Sequence, residues 1–199
     1  MWMATKYIFD LDETITKTNY QWEEAFFKSQ IGEEAKYFLP HKYELLISYE
    51  ELYKRYEAKS LSDHFANYGF NIPPYVIEEW SDFKGTVTAI PEMANFIIWL
   101  ADQNKRLVLL SNWFTKAQKE KLHRVGLLQY FDTIIGGDIA LKPSPESYKL
   151  AVGKTPIEDC IMIGDDYKKD YLGAIQIGLS AYHVTDENRN EVIRKLRLK

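Results

Sequence analysis

The feature that most constrains the fold is a series of short apolar runs that alternate with helical patterns. The runs cover residues 6–9, 106–111, 132–137, 159–164 and 179–184. Each run is nearly continuous in apolar residues, as expected of strands buried on both faces. Helical patterns, each followed by a glycine, occupy residues 115–125, 145–152 and 168–177. The alternation predicts an α/β fold, a Rossmann-like parallel sheet with helices on both faces.

A long segment after the first run interrupts this alternation. Residues 15–88 contain no convincing strand pattern, and helical patterns dominate them. The alternation resumes with a helical pattern that has Pro91 near its start. We therefore predict a core made of residues 1–14 and 89–199, with an α-helical insert at residues 15–88 after the first strand.

Composition excludes several classes of function. A net charge of −4 gives no basic surface for nucleic-acid or anionic-membrane binding, so neither partner is expected. The longest apolar run, at residues 96–101, is far shorter than the roughly 20 residues of a membrane span. Cys160 is the only cysteine, which excludes an intrachain disulfide and indicates a reducing compartment. A cytoplasmic location is expected.

Polar side chains follow several of the predicted strands. They are Asp10, Asp12, Ser111, Asn112, Lys142, Asp165, Asp166 and Asp170. The carboxyl ends of parallel strands line one crevice, so these residues are expected to converge. Several carboxylates close together repel one another, and a hard divalent cation, magnesium rather than zinc, relieves that repulsion. With a lysine and a hydroxyl nearby, such a centre is suited to bind a phosphoryl group.

Two other interpretations of the Asp10–Asp12 pair have to be weighed. Aspartate and threonine are ordinary turn residues, so a polar turn after the strand is one of them. A calcium loop that starts at Asp10 is the other, and it requires glycine at position 15 and glutamate at position 21. The chain has Ile15 and Gln21 at these positions, which excludes the calcium loop.

Four stretches, DLDET, LLSN, LKPSPE and IGDDYKKD, resemble in this order the four motifs of the haloacid dehalogenase (HAD) superfamily. Each follows a predicted strand, and the resemblance spans residues 7 to about 184. It implies a magnesium-dependent enzyme that acts on a small phosphorylated metabolite. The helical insert is similar to the small α-helical, C1-type cap of subfamily I, which closes over the active site.

The resemblance implies a role for each motif residue. Asp10 is expected to be the nucleophile that becomes an aspartyl-phosphate, and Asp12 the acid and base. Lys142 is expected to neutralise charge and so to assist catalysis. Phosphate-binding positions are Thr14, Ser111, Asn112 and Lys142. The expected magnesium ligands are Asp10, the main-chain carbonyl of Asp12, Asp165 and Asp170, and Asp166 is either a further ligand or a helix cap.

Two features qualify the resemblance. Glu13 replaces a glycine that is common in the family, for no reason visible in the sequence. Asp12 argues against dehalogenase chemistry, because the dehalogenases of the family lack an acid–base aspartate there. Candidates for the core of the insert or for substrate selection are Lys17, Tyr20, Trp22, Phe26, Phe27, His64, Asn112 and Trp113. We predict a phosphatase; a phosphomutase and a non-catalytic binding protein of the same fold are the alternatives.

Overall fold

A five-stranded parallel sheet forms the centre of the molecule. The computed structural model describes residues 4–48 and 58–198. Its strands are β1 (Lys6–Phe9), β2 (Thr16–Asn19), β3 (Thr86–Ala89), β4 (Arg106–Leu110), β5 (Thr133–Ile135), β6 (Cys160–Gly164) and β7 (Ser180–His183). The main sheet has the order β5-β4-β1-β6-β7, with parallel pairing throughout.

Helices occupy most of the connections between strands. They are α1 (Trp22–Ile31), α2 (Ala35–Phe38), α3 (Lys42–Ser48), α4 (Ala58–Asn67), α5 (Pro74–Trp80), α6 (Pro91–Asp102), α7 (Thr115–Arg124), α8 (Pro145–Val152), a π-helix (Tyr167–Leu172), α9 (Gly173–Gln176) and α10 (Arg189–Arg197). Short 3-10 turns lie at Gly32–Glu34, Leu128–Tyr130 and Ile157–Asp159. Within the described ranges, no helix combines the length and apolar character that crossing a membrane requires.

Both faces of the central strand are covered, as the continuous apolar pattern predicts. Successive side chains of a strand point to opposite faces. Tyr7 and Phe9 share one core cluster with Phe96 of α6. Ile8 lies in a second cluster with Tyr148 of α8. The predicted α/β fold, a Rossmann-like parallel sheet between helical layers, is confirmed.

The edge of the sheet departs from that pattern. In β7 the side chains of Ala181, Tyr182 and His183 are only half-buried, and Ser180 is exposed. The expectation that this run is buried on both faces was wrong, because β7 is the last strand of the sheet and has a neighbour on one side only.

A two-stranded ribbon corrects the prediction that residues 15–88 contain no strand. Strand β2 pairs antiparallel with β3, with Thr16 opposite Ala89 and Asn19 opposite Thr86. Both strands are short and polar, so a search for apolar runs does not find them. Their β-branched threonines favour extended backbone all the same. The ribbon lies at both predicted boundaries of the insert, and those boundaries stay a prediction.

The pattern at residues 168–177 was predicted as one helix, and the structure divides it. The π-helix Tyr167–Leu172 is followed by α9, which begins at Gly173. A π-turn is wider than an α-helical turn and is often found at functional sites. It carries Asp170, one of the predicted metal ligands, so the wider turn lies next to the predicted site.

The helical segment α1–α5 has an apolar core of its own. Phe27, Phe38, Phe65 and Trp80 lie in one cluster, and Trp113, which follows β4, joins it from the sheet side. Phe26 also belongs to this cluster, and Trp22 packs against it half-buried. These aromatic residues stabilise the segment and attach it to the loop after β4.

A buried ion pair lies inside the same segment. Glu23 is buried and accepts hydrogen bonds from Lys42 and, at 2.7 Å, from the indole nitrogen of Trp80. Tyr43 donates at 3.3 Å to Oε2, the carboxylate oxygen that also accepts from Lys42. The charged Glu23 is therefore compensated by a cation and two neutral donors, which is what a buried carboxylate needs.

In the turn after β1, Glu13 adopts a strained backbone conformation. This residue has a φ of 61°, in the left-handed region that glycine adopts freely. Its amide donates to the carbonyl of Thr16 at 2.7 Å, and its carboxylate forms an exposed ion pair with Lys17 at 2.6 Å. The family's glycine fits this turn without strain, whereas glutamate gains only a weak surface ion pair.

We expect Glu13→Gly to be more stable to unfolding than Glu13→Ala by about 1 kcal/mol. Both variants lose the ion pair with Lys17, so their difference isolates the backbone strain of a Cβ at positive φ. Urea unfolding of the two variants measures the difference. An alanine variant as stable as the glycine variant would contradict the strain.

Candidate active site

The register of the central strands brings three motif residues to one level. Phe9 of β1 is opposite Leu109 of β4 and Ile163 of β6. The three strands therefore reach their carboxyl ends together. The motif residues that follow these ends are Asp10, Ser111 and Asp165.

Asp10, Asp165 and Asp170 form a cluster that suits a cation. Each offers one carboxylate oxygen, and these oxygens lie within 4.8 Å of one another. Burial raises the pKa of Asp10, Lys142 counteracts this, and Asp170 and Asp165 raise it further, to about 8. Burial and the Asp170 charge also raise the pKa of Asp165. This excess of negative charge on oxygen ligands fits a magnesium ion.

Asp170 reaches the cluster because the neighbouring strand ends in glycine. A Cβ on Gly164 would lie 2.2 Å from Oδ2 of Asp170, so no other residue fits there without a shift. The same Oδ2 accepts a hydrogen bond from the amide of Asp166 at 3.0 Å. Position 164 therefore requires glycine for steric reasons, and Asp170 is held in place by the main chain.

Lys142 provides the positive charge of the cluster. Its Nζ donates to Oδ1 of Asp10 at 2.7 Å and to Oδ1 of Asp170 at 2.5 Å. Burial alone would lower the pKa of Lys142, but the two carboxylates outweigh it and raise the pKa. The lysine therefore stays charged beside the predicted nucleophile.

Asn112 positions Lys142 through the main chain. Its Nδ2 donates to the Lys142 carbonyl at 2.6 Å, and its Oδ1 accepts from the Lys142 amide at 2.7 Å. The phosphate-binding role predicted for Asn112 stays a prediction. In the structure, the Asn112 side chain fixes the main chain at Lys142.

Two other predicted residues support the cluster from its edge. The hydroxyl of Thr14 donates to Oδ1 of Asp165 at 3.1 Å, and Thr14 is fully buried. Asp166 caps the π-helix, because its side chain accepts from the amides of Lys168 and Lys169. Asp166 also pairs with the Lys169 ammonium at 2.7 Å and is not one of the three clustered carboxylates. The cap is thus the role that its contacts support.

Asp12 lies outside the cluster in a separate network of donors. Its Oδ1 accepts from the Thr18 hydroxyl at 2.5 Å and from Lys121 Nζ at 2.9 Å. Its Oδ2 accepts from Lys121 at 2.9 Å and from Gln118 at 3.2 Å. Burial would raise the pKa of Asp12, but Lys121 and the hydrogen bonds of this network hold it below its usual value. The predicted role of the Asp12 carbonyl as a metal ligand stays a prediction.

Lys121 and Gln118 are functional candidates that the sequence analysis missed. Both lie on α7 and both are fully buried. They are one helical turn apart, and the apolar residues Ala117 and Leu122 are buried beside them. The sequence could have indicated them only through their spacing, which places both on the same helix face as the apolar Ala117 and Leu122, whereas the other polar residues of α7 are mostly exposed.

Aromatic side chains border the space beside Asp10 and Asp12. Tyr20, Tyr43 and Trp113 line it, and each ring meets the other two edge to face, with centroids 5.5–6.4 Å apart. Of the other candidates for substrate selection, Lys17 bonds to Glu13 and Asp186. His64 lies at the Leu45 carbonyl, away from this lining.

Comparisons with known proteins identify the family of this chain. A family model of haloacid dehalogenase-like hydrolases matches residues 7–178. Glyceraldehyde 3-phosphate phosphatase of Methanothermobacter thermautotrophicus is 33% identical over 102 residues, 49% of this chain and 45% of that protein. Phosphoserine phosphatase of Thermus thermophilus is 33% identical over 99 residues, 47% of this chain and 39% of that protein. The chain thus spans less than half the length of these curated relatives.

Solved structures share the fold at lower identity. The HAD-hydrolase YfnB of Bacillus subtilis, bound to magnesium, superposes with a TM-score of 0.68 at 19% identity, covering 98% of this chain and 99% of that one. The L-2-haloacid dehalogenase of Xanthobacter autotrophicus gives a TM-score of 0.64 at 17% identity, covering 98% and 83%. Because the family model matches most of its length, the chain belongs to the haloacid dehalogenase-like hydrolases.

Proposed function

We propose that this chain is a magnesium-dependent phosphatase that hydrolyses a small phosphorylated metabolite through an aspartyl-phosphate on Asp10. The observation that carries the proposal is the convergence of a buried lysine with three clustered carboxylates at one edge of the sheet, one of which is the buried nucleophile candidate Asp10. This donor set is suited to bind and transfer a phosphoryl group.

In the proposed reaction an oxygen of Asp10 forms a bond to phosphorus while the bond to the leaving oxygen breaks. Asp12, which first has to take up a proton because its neighbours hold its pKa low, gives that proton to the leaving oxygen. Water then attacks the aspartyl-phosphate, and Asp12 takes the proton of this water. Lys142, which contacts Asp10 directly, balances negative charge during both transfers. Ser111, buried directly after β4, would donate to a phosphoryl oxygen.

Magnesium is proposed as the cofactor of this site. Asp10, Asp165 and Asp170 would hold it, together with the main-chain carbonyl of Asp12. When bound, the ion supplies positive charge that offsets the carboxylates and the phosphoryl oxygens. The raised pKa of Asp10 supports this assignment, because burial and the charges of Asp170 and Asp165 together outweigh Lys142, and a bound cation would favour the ionised carboxylate.

The substrate is proposed to be a small phosphomonoester whose leaving group packs against Tyr20, Tyr43 and Trp113. The names of two relatives, glyceraldehyde 3-phosphate phosphatase and phosphoserine phosphatase, support a small metabolite. We also propose that residues 15–88 act as the cap that closes over the leaving group. A cytoplasmic location, indicated by the single Cys160, belongs to the same proposal.

The alternatives receive less support. The relatives named as phosphatases favour hydrolysis over a phosphomutase reaction. The complete set of Asp10, Asp12, Ser111, Lys142 and Asp165 disfavours a non-catalytic binding protein. Analysis of the products distinguishes a phosphatase from a phosphomutase, because a mutase yields an isomerised sugar phosphate with little free phosphate.

Asp10→Asn is expected to abolish phosphate release from generic phosphomonoesters, a loss of roughly a thousandfold or more, because the amide is a poor nucleophile. Asp102→Asn, the same change at an exposed residue of α6, serves as the control. Phosphate release with magnesium present is the measurement. Undiminished activity of Asp10→Asn would rule out this nucleophile.

Asp170→Asn is expected to raise the magnesium concentration for half-maximal activity by more than about tenfold, because it removes a charged ligand. Asp166→Asn is the matched control. Since asparagine also caps helices well, this variant should retain the magnesium dependence of the unaltered protein. Titration of activity with magnesium compares the two. An equal shift in both variants would make Asp166 a ligand rather than a cap.

A further inference from the structure

The Asp12 carboxylate is held by far more donors than a surface aspartate. Each of its two oxygens accepts two hydrogen bonds, and the longest of these is the 3.2 Å bond from Gln118 to Oδ2. Lys121 reaches both oxygens at 2.9 Å. The orientation of Asp12 is therefore fixed by its neighbours and not by its own rotamer preference alone.

Lys121 is placed to hold Asp12 without contacting a substrate. It is 0% exposed and does not line the space bordered by Tyr20, Tyr43 and Trp113. Its third ammonium proton is directed to the Tyr20 hydroxyl at 2.6 Å. All three donors of the ammonium are thus used, two on Asp12 and one on Tyr20.

Stability does not explain a lysine at this position. A buried ion pair commonly contributes no more to the fold than apolar side chains of similar volume, because both charges lose their hydration. Position 121 lies on a helix that already packs through Ala117 and Leu122. What lysine adds there is a fixed direction for the Asp12 carboxylate.

Gln118 connects this arrangement to the phosphate side of the site. Its Nε2 lies 2.5 Å from the Ser111 hydroxyl oxygen and 3.2 Å from Oδ2 of Asp12. One buried amide therefore contacts both the acid–base group and the hydroxyl expected to bind phosphate. Through Lys121 and Gln118, α7 sets the position of Asp12 relative to Ser111.

We propose that Lys121, assisted by Gln118, is the positioning residue for the step in which Asp12 activates water. The proposal rests on the phosphatase function proposed above. In this step a water oxygen forms a bond to phosphorus and the bond from phosphorus to Asp10 breaks. Asp12 lines the open space, and the water proton passes to its Oδ2 in place of the long 3.2 Å bond from Gln118, so this oxygen must face the water. Loss of Lys121 therefore slows the hydrolysis of the aspartyl-phosphate.

The test uses p-nitrophenyl phosphate, whose leaving group departs as a stable anion without a proton from Asp12. For this substrate kcat/KM reports the formation of the aspartyl-phosphate, and kcat includes its hydrolysis. In Lys121→Met we expect kcat to fall about 100-fold, the lower end of the range for a general base. The ratio kcat/KM should stay nearly unchanged, and p-nitrophenol should appear in an initial burst.

Three further variants make the result specific. Lys119→Met removes an exposed lysine from the same helix and should leave both constants unchanged. Adding Lys121→Met to Asp12→Asn should produce no further loss of kcat, because both changes act on one group. If Lys121→Met does not fold, Lys121→Gln decides, since it keeps a polar side chain at this buried position but not the ammonium that bonds to both Asp12 oxygens, and it should lower kcat but not kcat/KM.

The outcomes separate the two proposals. A parallel fall of kcat and kcat/KM in Lys121→Met, or no change in either, would overturn the role of Lys121 and leave the phosphatase intact. For Lys121→Gln, the same two results would do so. If the unaltered protein releases no phosphate from any phosphomonoester, the proposed function itself fails and the role of Lys121 falls with it.

Discussion

The ion pairs of the buried Lys142 with Asp10 and Asp170 are the interactions on which the site depends. Burial makes isolated carboxylates unfavourable, and three of them meet at the end of the central strands. Burial and the charges of Asp170 and Asp165 together outweigh this one lysine, which is why the pKa of Asp10 remains raised to about 8. The negative charge that remains uncompensated defines the chemistry of the site. It favours binding of a divalent cation and, with that cation, of an anionic phosphoryl group.

The rest of the structure supports that arrangement. Parallel pairing brings the ends of β1, β4 and β6 to one level, and the helices on both faces bury the strands that deliver the charges. Gly164 leaves room for Asp170, and Asn112 clamps the main chain of Lys142. A second network, built by α7 and Thr18 around Asp12, keeps this carboxylate, the proposed acid–base group, apart from the three clustered carboxylates. The two carboxylates of the first motif thus have different partners and different proposed tasks.

The motif residues were predictable because each follows an apolar run, and the ends of parallel strands must share one edge. The β2–β3 ribbon was missed because its threonine-rich strands lack an apolar pattern. Lys121 and Gln118 were missed for a related reason: in TKAQKEKLHR every polar residue fits a solvated helix. Only the packing of α7 shows which of its lysines turns inward. Glu13 could be identified as unusual, but its cost became clear only from its positive φ.

The central claim is that Asp10 carries the phosphoryl group during turnover. The most direct measurement is mass spectrometry of peptides from acid-quenched Asp12→Asn protein after reaction with p-nitrophenyl phosphate and magnesium. Asp12→Asn should form the aspartyl-phosphate and hydrolyse it slowly. In Asp12→Asn we expect one added phosphoryl group on the peptide that contains Asp10, and none when Asp10→Asn is also present. A phosphoryl group on another residue, or p-nitrophenol release without any adduct on this peptide, would contradict it.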